Sequence, residues 1–194
     1  MDLAKLIERA KGICLSPKAE WPKIAAETTD VKSLYVGYVV ILAAIPALAK
    51  FVSTARFSVT LAIGVAVFTY VLSLVAIYLF SLIISALAPT FDGTPSSIQA
   101  LKVAVYSATP GWLAGIFNVI PWIGWLLSLG GAAYGVYVLY EGLNPLMRNP
   151  VEKSVGYAVL VVVCWILLAT FISMVPAAIF LGGVAMTGAS LFRM

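Results

Sequence analysis

The sequence contains no histidine. That removes the Ser-His-Asp and Cys-His nucleophile systems, and every zinc site that depends on imidazole. Cysteine is nearly absent as well. Cys14 and Cys164 form no CxxC; one lies in a charged N-terminal region and the other midway along an apolar run. This placement predicts no disulfide, and an inert buried thiol at Cys164. Charge is the third shortage. Charged side chains make up 10% of the 194 residues, against roughly a quarter in a typical soluble domain. No Asp, Glu, Lys or Arg occurs from Phe57 to Phe91, from Val103 to Tyr140, or from Ser154 to Phe192. No acid therefore falls deep within an apolar segment, which argues against a proton-coupled pump. Neither a metal nor another cofactor is expected.

What is present is apolar. Hydrophobic residues make up 62% of the chain, and the mean hydropathy is +1.05. A soluble fold of this size leaves too much surface exposed to hide so many apolar side chains. Each uncharged run exceeds the ~20 residues that span a bilayer core. Lacking period-2 alternation, these runs must satisfy their backbones as helices. The expected fold is all-α: a polytopic transmembrane bundle of about five spans with an N-terminal amphipathic helix at the interface.

Residues 1–32 form the charged part, with six of the twelve basic residues and five of the eight acids. Leu3, Leu6, Ile7, Ala10, Ile13 and Cys14 recur at helical spacing among Lys5, Glu8, Arg9 and Lys11, as in a helix lying along a membrane surface. Ser16-Pro17 is placed to start a second helical segment, proline costing nothing at the first helical position. Trp21 is expected in the headgroup layer. Residues 33–194 form the transmembrane domain, with spans near 34–52, 57–88, 99–119, 122–142 and 156–182. Pro46 falls inside the first span, and Pro176 and Gly182-Gly183 are possible breaks in the last. The third and fourth spans form a tight hairpin around Asn118 to Gly124, whose Pro121, Trp122 and Trp125 suit an interfacial belt. With a cytoplasmic N-terminus, nine basic residues face inward and three (Lys50, Arg56 and Arg193) face outward, the orientation favoured by the positive-inside rule. The net charge of +4, with no continuous basic patch, points to anionic headgroups and not to nucleic acid.

Polar and small residues concentrate on the third and fourth spans. Gly111 and Gly115 share a face with Ala104, Ser107 and Ala108, and Gly131 and Gly135 share one with Gly124, Ser128 and Gly142. Such stripes let helix backbones approach closely. Lys102 and Glu141 lie at about the same depth. They form an ion pair across the hairpin, or each snorkels to headgroups by itself. Tyr106, Ser107, Thr109, Tyr134 and Tyr137 are the candidate lining of a polar path.

The stretch from Ala100 to Gly115, with Tyr106-Ser107 and Thr109-Pro110-Gly111-Trp112 inside it, resembles the Yip1 membrane-protein family. So do Ile120-Pro121, Gly130-Gly131, Tyr140-Glu141-Gly142-Leu143 and Pro150-Val151-Glu152-Lys153. Upstream, Ser16-Pro17, Glu20-Trp21 and Glu27 resemble its prokaryotic branch. The resemblance covers about residues 13–175 and implies five transmembrane helices with a cytoplasmic N-terminus. The expected function is that of a non-enzymatic organiser in a prokaryotic cytoplasmic membrane, binding lipid, a protein partner or a second copy at its cytoplasmic face. The alternative is a small transporter or channel using the Tyr/Ser path.

Overall fold

The computed structural model describes residues 3–191, with the side chains of 121, 173 and 175–191 excluded. Arg193, counted above on the outer side, lies outside the described residues. Seven helices follow in order: α1 (Leu3–Leu15), α2 (Pro17–Ala26), α3 (Val31–Ala55), α4 (Val59–Leu87), α5 (Ser97–Ala114), α6 (Pro121–Met147) and α7 (Val151–Leu191). No strand occurs among the described residues. By length and composition, four segments are able to cross a membrane: Val31–Ala55, Val59–Phe91, Trp122–Met147 and Val151–Ile172. They overlap the segments expected as the first, second, fourth and fifth spans.

The segment expected as the third span behaves differently. Regular α-helix stops at Ala114 and tightens into a 3₁₀ turn, Gly115–Val119. At 18 residues, α5 is the shortest of the hairpin and span helices. It is also the most enclosed: Ala100 through Ser107, Thr109, Pro110 and Trp112 are all buried. Helices α1, α3, α4 and α6 pack around it. Lipid contact falls to the outer helices. Val67, Val71 and Val75 of α4 and Val159, Val163 and Leu167 of α7 are exposed, which in water would be costly and in a bilayer is not.

Local chemistry explains the element boundaries. Pro17 opens α2, as its fixed φ allows. The Ser58 hydroxyl accepts from the Leu61 N–H and caps α4. In α3, the five residues Tyr35–Val39 form a π turn, the kind of local irregularity that re-aims side chains within a helix. Its Tyr38 is buried and Tyr35 reaches the Leu74 carbonyl at 3.0 Å. Pro46 sits inside α3 against the outer hairpin. Helix α7 is continuous to Leu191, so neither Pro176 nor Gly182-Gly183 breaks it. Proline within an apolar helix is tolerated where the freed carbonyl can be satisfied locally.

The hairpin glycines differ in what they face. A Cβ at Gly131 would stand 2.6 Å from Ala114 Cβ and 2.9 Å from the Pro110 carbonyl; at Gly135, 2.7 Å from the Ser107 carbonyl; at Gly115, 2.6 Å from Pro46 Cβ. A Cβ at Gly111 or Gly130 would meet nothing within 4 Å. Gly131 and Gly135 thus set the approach of α6 to α5, Gly115 admits α3, and Gly111 has room to spare. Replacing Gly131 with leucine is expected to overpack this contact at a cost of about 1–3 kcal/mol. Thermal unfolding in detergent should therefore show a clear loss for Gly131→Leu and little change for Gly130→Ala. Equal melting of both variants would contradict the assignment.

Candidate functional site

The charged N-terminal residues form a compact cluster where α1 and α2 fold back on the bundle. The Arg9 guanidinium pairs with Glu20 at 2.5 Å and also with Glu27. It stands 6.0 Å above the Tyr106 ring, within range of a cation–π contact. Below it, Tyr106 meets Trp21 edge-on at 6.2 Å and Tyr38 at 5.0 Å. The Tyr38 hydroxyl bonds Thr109 Oγ1 at 2.9 Å. One arginine therefore ties α1 to α2, and three aromatic rings tie α2 to α3 and α5.

Lys102 completes the arrangement. It is 2% exposed, and its ammonium donates to the carbonyls of Ile24 at 2.9 Å and Glu27 at 2.5 Å. These carbonyls lie at the end of α2, where the last turn leaves acceptors without intrahelical partners and carries the negative end of the helix dipole. A buried ammonium from α5 thus caps a helix that has no C-terminal glycine to do so. The Lys102–Glu141 pair considered from the sequence is not formed. Glu141 instead faces Lys18 at 3.5 Å, an exposed contact of small energetic worth. Folding α2 onto the hairpin supplies both residues with partners that the two helices alone do not contain.

Trp21, expected in the headgroup layer, is enclosed by protein. It is buried, its indole N–H donates to the Val138 carbonyl at 3.0 Å, and its ring occupies the space a side chain at Gly142 would need, 2.5 Å from that Cβ position. On α1, Leu6, Ala10 and Ile13 are buried against the bundle while Leu3, Ile7 and Leu15 stay exposed. Trp122 and Trp125, at the opposite end of α6, are 90% and 67% exposed.

The five residues considered as a polar path are divided. Tyr106, Ser107 and Thr109 are buried on α5; Ser107 Oγ donates to Ala104 at 3.1 Å and Thr109 is held by Tyr38. Tyr134 and Tyr137 lie on the exposed side of α6, their rings 5.5 Å apart, and Tyr134 donates to the Cys14 carbonyl at 2.9 Å. Two apolar grooves among the described residues, one between α4, α5 and α7 and one along α1, are lined by none of the five. Sequence reasoning missed Arg9, Tyr38 and the role of Trp21; the signal was the Glu20-Trp21 and Glu27 pattern, noted without a mechanism.

A second junction joins the loops at residues 88–96 and 147–154. Asp92 and Arg148 take left-handed conformations. The Thr94 N–H donates to the Met147 carbonyl at 2.7 Å, Lys153 pairs with Asp92, and Phe91 stacks on Tyr157 at 5.0 Å. Asn149 Nδ2 donates to Ser154 Oγ at 2.8 Å. Burial pushes the Cys14 thiol above its ordinary pKa, and both cysteines are free.

Hydrogen bonds from a charged donor are worth roughly 1.5–3 kcal/mol. Lys102→Met leaves two carbonyls at the end of α2 without that donor, so amide exchange across residues 17–27 should quicken about tenfold or more. The exchange of α4 and α7 should change little. Unaltered exchange in 17–27 would show that Lys102 does not hold α2.

Comparison with known proteins places this architecture. The Yip1 domain matches residues 11–173, a range that takes in Glu20, Trp21, Glu27 and Lys102. The chain is 26% identical over 162 residues to the inner membrane protein YohC of Escherichia coli K12, covering 76% of this chain and 83% of that protein, and equally so to YohC of Escherichia coli O6:H1. No solved structure matches. With the match extending from the end of α1 through α2 and the bundle, the chain belongs to the Yip1 family of integral membrane proteins.

Proposed function

We propose that the protein is a non-enzymatic membrane organiser of five spans, with α1 and α2 on the cytoplasmic side and a surface there that binds lipid or a partner protein. The observation that carries this reading is the attachment of α1 and α2 to the bundle through Arg9, Trp21 and Lys102. The excess of nine basic residues over three supports the cytoplasmic assignment, and enclosure by its neighbours supports α5 as a fifth, central span. The composition supports the non-enzymatic part, since no histidine is available and no acids are paired within the apolar runs.

The competing reading is a transporter or channel. Its expected path is split between buried hydroxyls that bond within the bundle and tyrosines on the outer face, so the organiser reading is favoured. Sealed proteoliposomes containing the full chain should show no specific flux of ions, small solutes or lipid, and Tyr134→Ala should leave the traces unchanged. Specific flux abolished by Tyr134→Ala in a folded protein would overturn the organiser reading.

A further inference from the structure

Helix α1 has two apolar faces and the bundle covers only one of them. Leu6, Ala10 and Ile13 are closed against it, while Ile7 and Leu15 remain 55% and 73% exposed. Beside this open face runs a groove of about 590 Å³, walled by α1 on one side and by Ile41, Ile45 and Leu113 on the other. Its volume falls within the ~300–1,000 Å³ typical of small-molecule sites. Ile41 and Ile45 belong to α3, a segment long and apolar enough to cross a membrane, and Leu113 belongs to α5, so the groove runs along the side of the bundle.

Its rim carries one charge. Lys11 lines the groove, is exposed, and makes no ion pair among the described residues. Arg9, two positions earlier, is committed to Glu20 and Glu27, and Lys18 and Lys23 face Glu141 and Glu20. Glu8, the acid one helical turn from Lys11, is exposed and pairs with no base within the described residues. Lys5 is also exposed but does not line the groove. An apolar trough with a single uncommitted ammonium at its edge is complementary to a molecule with an apolar chain and an anionic head. An ammonium on a flexible stem reaches from an apolar wall toward a phosphate.

We infer that the groove between α1 and α3 holds one acyl chain of an anionic phospholipid, whose phosphate is bound by Lys11. This rests on the reading of the α1–α2 side as a cytoplasmic, lipid-binding surface, and it names the site and the ligand class. The lipid fills the face of α1 that the bundle leaves open, so α1 is sandwiched between protein and lipid.

The test is native mass spectrometry of the full chain in detergent, with phosphatidylglycerol and phosphatidylcholine of matched chains supplied together. Wild type should retain one phosphatidylglycerol in preference to phosphatidylcholine. Lys11→Gln should lower that preference about fivefold, the effect of one basic residue at a lipid surface, while Lys11→Arg restores it. Ile7→Asp, on the exposed wall, should reduce retention of both lipids. Lys5→Gln is the control for charge without a site and should have little effect. Equal retention of the two lipids by wild type overturns the inference. So does an equal loss in Lys5→Gln and Lys11→Gln, which would reveal diffuse surface charge. Displacement of the lipid by inorganic phosphate alone would overturn the role of the acyl chain. A dimer mass with no retained lipid would show a second copy in the groove, and overturn it too. Flux measured on the same preparation separates the two levels: flux sinks the organiser reading, whereas loss of lipid preference without flux sinks only the site.

Discussion

The contact on which the arrangement depends is the buried ammonium of Lys102 against the last carbonyls of α2. An ammonium without partners in such a place would be expensive, and so would the open end of a short helix against an apolar bundle. Each removes the other's cost. The contact also determines where the rest of the N-terminal region sits. With the end of α2 fixed on α5, Trp21 falls against Gly142 and the Val138 carbonyl, Glu20 and Glu27 converge on Arg9, and α1 is drawn down beside α3. The charged side chains of the N-terminal region pair mostly with one another and so join α1 to α2, while Lys18 against Glu141 and Arg9 over Tyr106 reach the membrane domain.

Around that attachment the bundle is organised from the inside out. Helix α5 is short and enclosed, and its small residues let neighbours come close while Ser107 and Thr109 donate to carbonyls of their own helix. Tyrosine hydroxyls bridge helices by reaching backbone carbonyls: Tyr35 to Leu74, Tyr70 to Val40, and Tyr157 to Ile84. Such bonds are well suited to an apolar surrounding, where a phenol satisfies an acceptor without introducing charge. The two loop segments clasped through Asp92, Lys153, Phe91 and Tyr157 do for α4 and α7 what α2 does for α5 and α6.

Much of this was legible before any coordinates. The apolar runs mark an all-α membrane bundle because run length needs no tertiary information, and Ser16-Pro17 marks the start of α2 because proline's fixed φ is a local property. The hairpin at Asn118 to Gly124 is likewise a local feature, and the chain turns there so tightly that a Cβ at Gly124 would lie 2.2 Å from the Phe117 carbonyl. What escaped was whatever depended on backbone acceptors. A sequence offers Lys102 either Glu141 or the headgroups, because a carboxylate is visible in it, whereas the carbonyls of Ile24 and Glu27 look like those of every other residue. Trp21 was read as interfacial because its burial depends on α2 folding back across the hairpin. Tyr134 and Tyr137 shared a helical face as their spacing requires, but spacing does not say which face turns inward.

The central claim is that α1 and α2 are a fixed part of the membrane domain, held by Arg9 and Lys102. Its most direct test is a pair of spin labels on the full chain in lipid bilayers, at Ala19→Cys on α2 and Val155→Cys on α7, both exposed positions, with Cys14 and Cys164 replaced. The account predicts one narrow distance distribution in this background, broadened when Lys102→Met is added. A broad or two-peaked distribution before that substitution would contradict it, showing an N-terminal region that leaves the bundle freely.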